Sequence, residues 1–233
     1  MNLDIWLVRH GATNWTATGR FCGWSDPPLS ERGRWQAKVL RPRLDAYRFD
    51  SVMSSSSIRA VETARLAYGE PLQDERLREL DFGDIEGQTW AECSPDVRER
   101  LLDFNSFEAP NGESVEQLTA RVTQVLRELR EGRPLIVTHG GVIRVLMGSR
   151  GMESYPEPGD LSRISVTIDE GKVRSRTYES SRIMGVGAGR ATAAPHDRVE
   201  ESPDSTGQDA GENPRRGDPR TVQQKADRPA SVG

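Results

Sequence analysis

Cysteine is scarce in this chain. Cys22 and Cys93 are the only two, too few for the disulfide framework of a small secreted domain. Long apolar runs are missing as well: the first, Leu3 to Val8, is six residues with Asp4 inside it. That is too short for a signal peptide or a membrane span, so the expectation is a cytoplasmic protein without membrane attachment. Charge of one sign is also lacking, since 32 Lys and Arg stand against 36 Asp and Glu, for a net charge of −4. No strong attraction to nucleic acid or to an anionic bilayer follows. From Gly185 onward Leu, Ile, Phe, Trp, Tyr and Met are absent altogether. Such a stretch cannot bury enough apolar surface to offset its chain entropy, and its seven basic and eight acidic residues form no block of one sign. The chain therefore divides into one folded domain over 1–182 and a disordered polar tail over 183–233, with His196 in the tail and outside any catalytic role.

Within the folded part, short apolar runs alternate with segments of helical pattern. Strands are expected at 3–8, 50–53, 134–138, 163–168 and 172–178, the last two joined around Glu170-Gly171. Helices are expected at 30–46, 57–68, 88–103, 114–131 and 141–149. Runs as continuous as Leu135-Ile136-Val137 suit strands buried on both faces. The fold class that follows is α/β, a three-layer sandwich with a mostly parallel central sheet and helices on both faces. Pro42 falls inside the first long helix and is expected to kink or split it. Phe82, Trp90, Phe104 and Phe107 suit either an apolar lid or the core, the core being the commoner use of aromatics at helical spacing.

Histidine is rare too, three in all, and two of them share a context. Leu3 to Val8 delivers Arg9-His10-Gly11-Ala12-Thr13, and Leu135 to Thr138 delivers His139-Gly140-Gly141. One such imidazole alone would be read as a packed histidine satisfied by backbone groups. Two at matching strand ends point to one crevice, because ligands in open α/β sheets bind outside the carboxyl ends of the strands. A third strand end leads into the serine run 54–57, where Ser55 or Ser56 can cap a helix. Arg59 then lies in that helix's first turn, where its fork of donors and the positive helix end suit a phosphate.

The segment Arg9-His10-Gly11-Ala12-Thr13 resembles the hallmark of the histidine phosphatase superfamily, the phosphoglycerate-mutase-like enzymes. The resemblance extends over about residues 3–180 and adds four elements in the family's order. They are the loop Gly19 to Ser30, the segment Ser54-Ser55 with Arg59-Ala60 and Thr63-Ala64, the acid motif Glu79 to Gly83 with Glu86-Gly87, and Gly112-Glu113-Ser114 ahead of Thr138-His139-Gly140-Gly141. The resemblance implies phosphoryl transfer through a phosphohistidine. His10 is the expected nucleophile, kept neutral by neighbouring arginines and oriented by a carbonyl on its other nitrogen. Arg9, Arg59 and His139 are the expected donors to the equatorial oxygens, with the backbone N–H groups of Gly140 and Gly141 adding to them. Glu79 matches the family's acid, protonating the leaving oxygen and later activating water. Thr13, Thr16, Cys22, Gly23 and Gly140 complete the expected substrate-binding set. Thr16 stands where the family often has Asn, and Cys22 where Gln or Ser is common; the thiol is a poor donor.

No metal or cofactor is implied, and the expected partner is a small phosphorylated metabolite; a homodimer is left open. The family's mutases usually carry Arg directly after the acid and an added basic segment before the last histidine. Here Leu80 follows Glu79, and 60 positions separate Glu79 from His139. That layout is similar to the broad-specificity and alpha-ribazole phosphatases, so hydrolysis of a small-molecule phosphomonoester is the expectation. Trp24 is shared with mutases, which keeps a cofactor-dependent phosphoglycerate mutase as the rival enzyme. A non-catalytic phospho-ligand binder and a zinc site built from the two histidines and Glu79 are the alternatives of other classes.

Overall fold

A computed structural model describes residues 2–130, 132–147, 156–169 and 172–181. The expected tail over 183–233, His196 within it and the turn at Glu170-Gly171 lie outside the described residues. In chain order the elements are β1 (Asn2–Arg9), α1 (Asn14–Ala17), α2 (Glu31–Leu44), β2 (Ser51–Ser55), α3 (Ile58–Ala67), β3 (Leu72–Asp74), α4 (Pro95–Leu102), α5 (Val115–Glu128), β4 (Pro134–Thr138), α6 (Gly140–Met147), β5 (Leu161–Asp169) and β6 (Lys172–Ser181).

These strands form one six-stranded sheet in the order β3-β2-β4-β1-β5-β6. Neighbours from β3 to β1 run parallel, whereas β5 pairs antiparallel with β1 and with β6. Alternation along β1 builds a core on each face. Leu3, Ile5 and Leu7 pack with Leu118, Val122 and Val125 of α5 and with Val142, Ile143 and Leu146 of α6. Trp6 and Val8 pack on the opposite face with Leu40 and Leu44 of α2 and Ala60, Ala64 and Ala67 of α3. The expected three-layer α/β sandwich with a mostly parallel sheet is the observed architecture.

Three local expectations are corrected. The helix expected over 88–103 is confined to α4, because Ser94 caps Val97 N–H and Pro95 takes the first helical position, where a missing N–H costs nothing. Pro42 does not split α2, which runs through it and ends at Leu44; a proline in the last turn removes one bond only where the helix is about to stop. Neither Ser55 nor Ser56 caps α3, since Ser57 occupies the N-cap position. Of the four aromatics, Phe104 and Phe107 are core, Phe82 packs between Phe21 and Phe107, and Trp90 is exposed. The short edge strand β3 was not anticipated. No described helix is long and apolar enough to cross a membrane.

Candidate active site

The register puts the key residues side by side. Arg9, the last residue of β1, pairs with Thr138, the last of β4, while β2 flanks β4 on the other side and ends at Ser55. His10 and His139 therefore leave adjacent strands at the same level, and their rings meet edge to face with centroids 5.1 Å apart.

Each imidazole is buried and its tautomer follows from its partners. His10 Nδ1 faces the carbonyl oxygen of Gly11 at 2.8 Å, so Nδ1 carries the hydrogen and Nε2 the unshared pair. His139 Nδ1 lies 3.3 Å from Nη2 of Arg59, a donor, which leaves Nε2–H to donate to Ser55 Oγ at 2.8 Å. Burial, then the charge of Arg59 and then that of Arg9, hold His10 well below the ordinary histidine value. His139 is lowered likewise by burial first and Arg59 next. Both rings are neutral at physiological pH. A zinc ion would find both nitrogens of His139 already engaged, and no cluster of three or more His, Cys, Asp or Glu among the described residues is arranged to hold a metal.

Arg59 is fully enclosed, but its fork is not open in the way the sequence suggests. Nη1 donates to the Ser25 carbonyl at 2.9 Å and pairs with Asp26 at 3.2 Å, and Nη2 donates to the Gly23 carbonyl at 2.8 Å. The guanidinium thus ties the loop 22–26 to the site and presents its remaining charge to His139. Glu86 holds the same loop from the other side, accepting from the N–H groups of Trp24 and Ser25, both at 2.6 Å. A Cβ at Gly23 would overlap Glu86 and the Leu80 carbonyl, so this close approach demands glycine. Arg9 donates from Nη1 to the Pro156 carbonyl at 2.7 Å.

Glu79 is buried, with one carboxylate oxygen on the N–H of Leu80 at 2.9 Å and the other on the N–H of Gly141 at 3.0 Å. Gly141 is therefore not a spare amide, a correction to its expected role as a phosphate donor; it holds the Glu79 carboxylate at the start of α6, two residues after His139. The segment carrying Glu79 is held by Thr138, whose hydroxyl donates to the Leu77 carbonyl, and by Arg121 of α5, which donates to the carbonyls of Arg76, Arg78 and Glu79 while paired with Glu113. Trp24 Nε1 also donates to the Glu79 carbonyl at 3.1 Å.

The remaining expected residues divide. Thr13 and Thr16 form a reciprocal capping box for α1, and the Thr16 hydroxyl proton goes to the Thr13 carbonyl at 3.0 Å rather than outward. Donation from Thr16 to a phosphate requires that bond to break. Cys22 sits in the same loop, its thiol pushed up to about 11 by burial, and is a protonated, weak donor. Gly140 opens α6 directly after His139. Ser55 as partner of His139, Gln36, Glu86, Asp26 and Arg121 are site contributors that the sequence did not assign. Ser55, Asp26 and Glu86 stand within the segments that carry the resemblance, which was their available signal, whereas Gln36 and Arg121 had none.

A profile of the histidine phosphatase superfamily (branch 1) matches residues 5–178. The "Probable phosphoglycerate mutase GpmB" of Enterobacter sp. (strain 638) is 36% identical over 169 residues, spanning 66% of this chain and 78% of that protein. A 2,3-bisphosphoglycerate-dependent phosphoglycerate mutase of Beijerinckia indica is 32% identical over 204 residues, spanning 78% of this chain and 97% of its own length. Among solved structures, a phosphoglycerate mutase from Thermus thermophilus superposes with a TM-score of 0.63 at 37% identity, covering 76% of this chain and 98% of that one.

Proposed function

The chain belongs to the histidine phosphatase superfamily, and from that premise we propose that it hydrolyses a small phosphomonoester through a phosphohistidine on His10, the activity residing in residues 1–182. The observation that carries this reading is the His10 ring. It is buried, neutral and fixed with Nδ1–H on a carbonyl, so Nε2 holds an electron pair ready for phosphorus. As the N–P bond forms, the bond from phosphorus to the leaving oxygen breaks, and Glu79 gives that oxygen its proton. The resulting carboxylate takes a proton from water, whose oxygen attacks the phosphohistidine and releases phosphate. Arg9 and Arg59 offset the charge on the equatorial oxygens, and His139 joins them as a donor once its Nε2–H turns from Ser55 Oγ to a phosphate oxygen. Thr13, Gly23 and Gly140 are assigned to substrate binding, with Thr16 and Cys22 as weaker contributors for the reasons given above. The reaction as written uses no metal, so turnover is expected to be unchanged in chelator.

A phosphoglycerate mutase is the second reading, and the names of the relatives favour it. Against it, Leu80 after the acid is wholly buried and offers no charge to a substrate carboxylate. Two measurements test these readings. Rapid quench and mass spectrometry should find an acid-labile phosphate on His10; a label on Ser55 or Cys22, or none, would remove the nucleophile assignment. A panel of phosphorylated metabolites including phosphoglycerates and alpha-ribazole phosphate should show phosphate release, whereas isomerised phosphoglycerate without release identifies a mutase, and no turnover a binder.

A further inference from the structure

We propose that Gln36 is a positioning residue for His10, acting through the peptide unit that joins Gly11 to Ala12. The inference rests on His10 as the nucleophile. The N–H of Ala12 donates to Gln36 Oε1 at 2.8 Å. The carbonyl at the other end of the same planar unit, Gly11 C=O, accepts from His10 Nδ1–H, also at 2.8 Å. A peptide group is rigid and conjugated. Rotating its plane breaks both bonds together, and the hydrogen bond from N–H to Gln36 Oε1 pushes electron density toward the carbonyl oxygen, which strengthens it as an acceptor.

The flanking peptide units are held by other residues. Gly11 N–H donates to Thr63 Oγ1, whose hydroxyl donates to the Arg59 carbonyl, and the Ala12 carbonyl accepts from Ser30 N–H and Ser30 Oγ. Of the side chains on this turn, Gln36 is the one bonded to the unit facing the ring. It is delivered by α2, which is pinned to the turn where Gly33 meets Gly11 and Ala12 backbone to backbone. Its stem is packed under Gly159, where an added Cβ would come within 3.0 Å of Gln36 Cβ. Gly159 N–H in turn donates to the carbonyls of Arg9 and His10.

When Nε2 bonds to phosphorus the ring becomes cationic and Nδ1–H to Gly11 O becomes a charge-assisted bond. Gln36 therefore favours phosphorylation of His10. It should not favour the hydrolysis of phosphohistidine, in which that charge leaves the ring.

The test uses the full-length chain with Gln36→Met, of similar length without an acceptor, and Gln36→Glu, which keeps one. Single-turnover phosphorylation by nitrophenyl phosphate should fall about tenfold to a hundredfold in Gln36→Met, the scale of a slightly misplaced reacting group. The substrate concentration that half-saturates this single turnover and the rate of phosphohistidine hydrolysis should hold, and Gln36→Glu should recover most of the loss. Nitrogen NMR of the resting protein should show His10 as the Nδ1–H tautomer in wild type and as a mixture in Gln36→Met. An unchanged tautomer and rate in Gln36→Met overturns the inference, as does an equal loss in Gln36→Glu, which would make the role one of packing. Because the tautomer is read without substrate, a shift in Gln36→Met supports the inference even if wild type forms no phosphohistidine, an outcome that would end the proposed reaction alone.

Discussion

Glu79 shows how much of a residue's chemistry depends on what faces it. Both carboxylate oxygens accept backbone N–H groups, one from Leu80 and one from Gly141. In Glu79→Gln one of those positions is taken by an NH2 group that opposes an N–H, so the variant loses a hydrogen bond as well as the acidic proton. The proposed acid role predicts a loss that depends on the leaving group. With an alkyl phosphate, whose alkoxide leaves poorly, the single-turnover rate should drop on the order of 10² to 10⁴, whereas with nitrophenyl phosphate, whose nitrophenolate departs without a proton, it should change little. Equal losses on both substrates would assign the residue to binding, and Asp81 or Asp84 would be examined next. His10, His139 and Arg59 could be singled out because each lies at a strand or helix end, and Glu79 because it falls in the acid motif of the resemblance. Gln36 and Arg121 could not be, since a polar residue on a helix looks solvated until the backbone group opposite it is known.

At the scale of elements, the contact between α2 and the turn after β1 is the tightest constraint on the site. Replacing glycine by alanine inside a helix ordinarily stabilises it by about 1 kcal/mol. At Gly33 the added Cβ would fall within the backbone of Ala12, and overpacking costs typically about 1–3 kcal/mol. The second effect should win because backbone atoms cannot rotate away. Denaturant unfolding of Gly33→Ala should show a net loss of up to about 2 kcal/mol together with reduced turnover, since the same turn carries His10. Gly69→Ala, where a Cβ meets nothing within 4 Å, is the control and should be neutral. A Gly33→Ala protein as stable as wild type would sink the close-packing account. The type of the long elements was well signalled by periodicity, and the errors were the short strand β3, the effect of Pro42 and the boundary of α4. Ser94-Pro95 carried the start of α4 in its capping chemistry, but the helical pattern running upstream of it obscured that start.

At the scale of the molecule, burying two imidazoles couples stability to pH. Both His10 and His139 are lowered well below the ordinary value on folding, by burial first and Arg59 next, so the unfolded chain binds protons more readily than the folded one. Stability is then complete above about 6.5 and declines as pH falls below it, by up to about 1.4 kcal/mol per pH unit for each imidazole. Denaturant unfolding between pH 7.5 and 5 should reveal this slope, and His139→Gln should remove about half of it; a flat profile would mean that the rings are not held neutral. By itself, the sequence determined the α/β architecture, the family and the convergence of His10 and His139, because burial periodicity and strand-end motifs are local signals that any parallel sheet must translate in the same way. Tertiary structure alone decided the rest: that Arg59 grips the carbonyls of loop 22–26, that Gly141 serves Glu79, and that Gln36 addresses His10 through a peptide group. Those assignments depend on which donors and acceptors meet across distant segments. A buried polar group takes whichever partner the packing of helices on the sheet brings within reach, and no spacing along the chain encodes that choice.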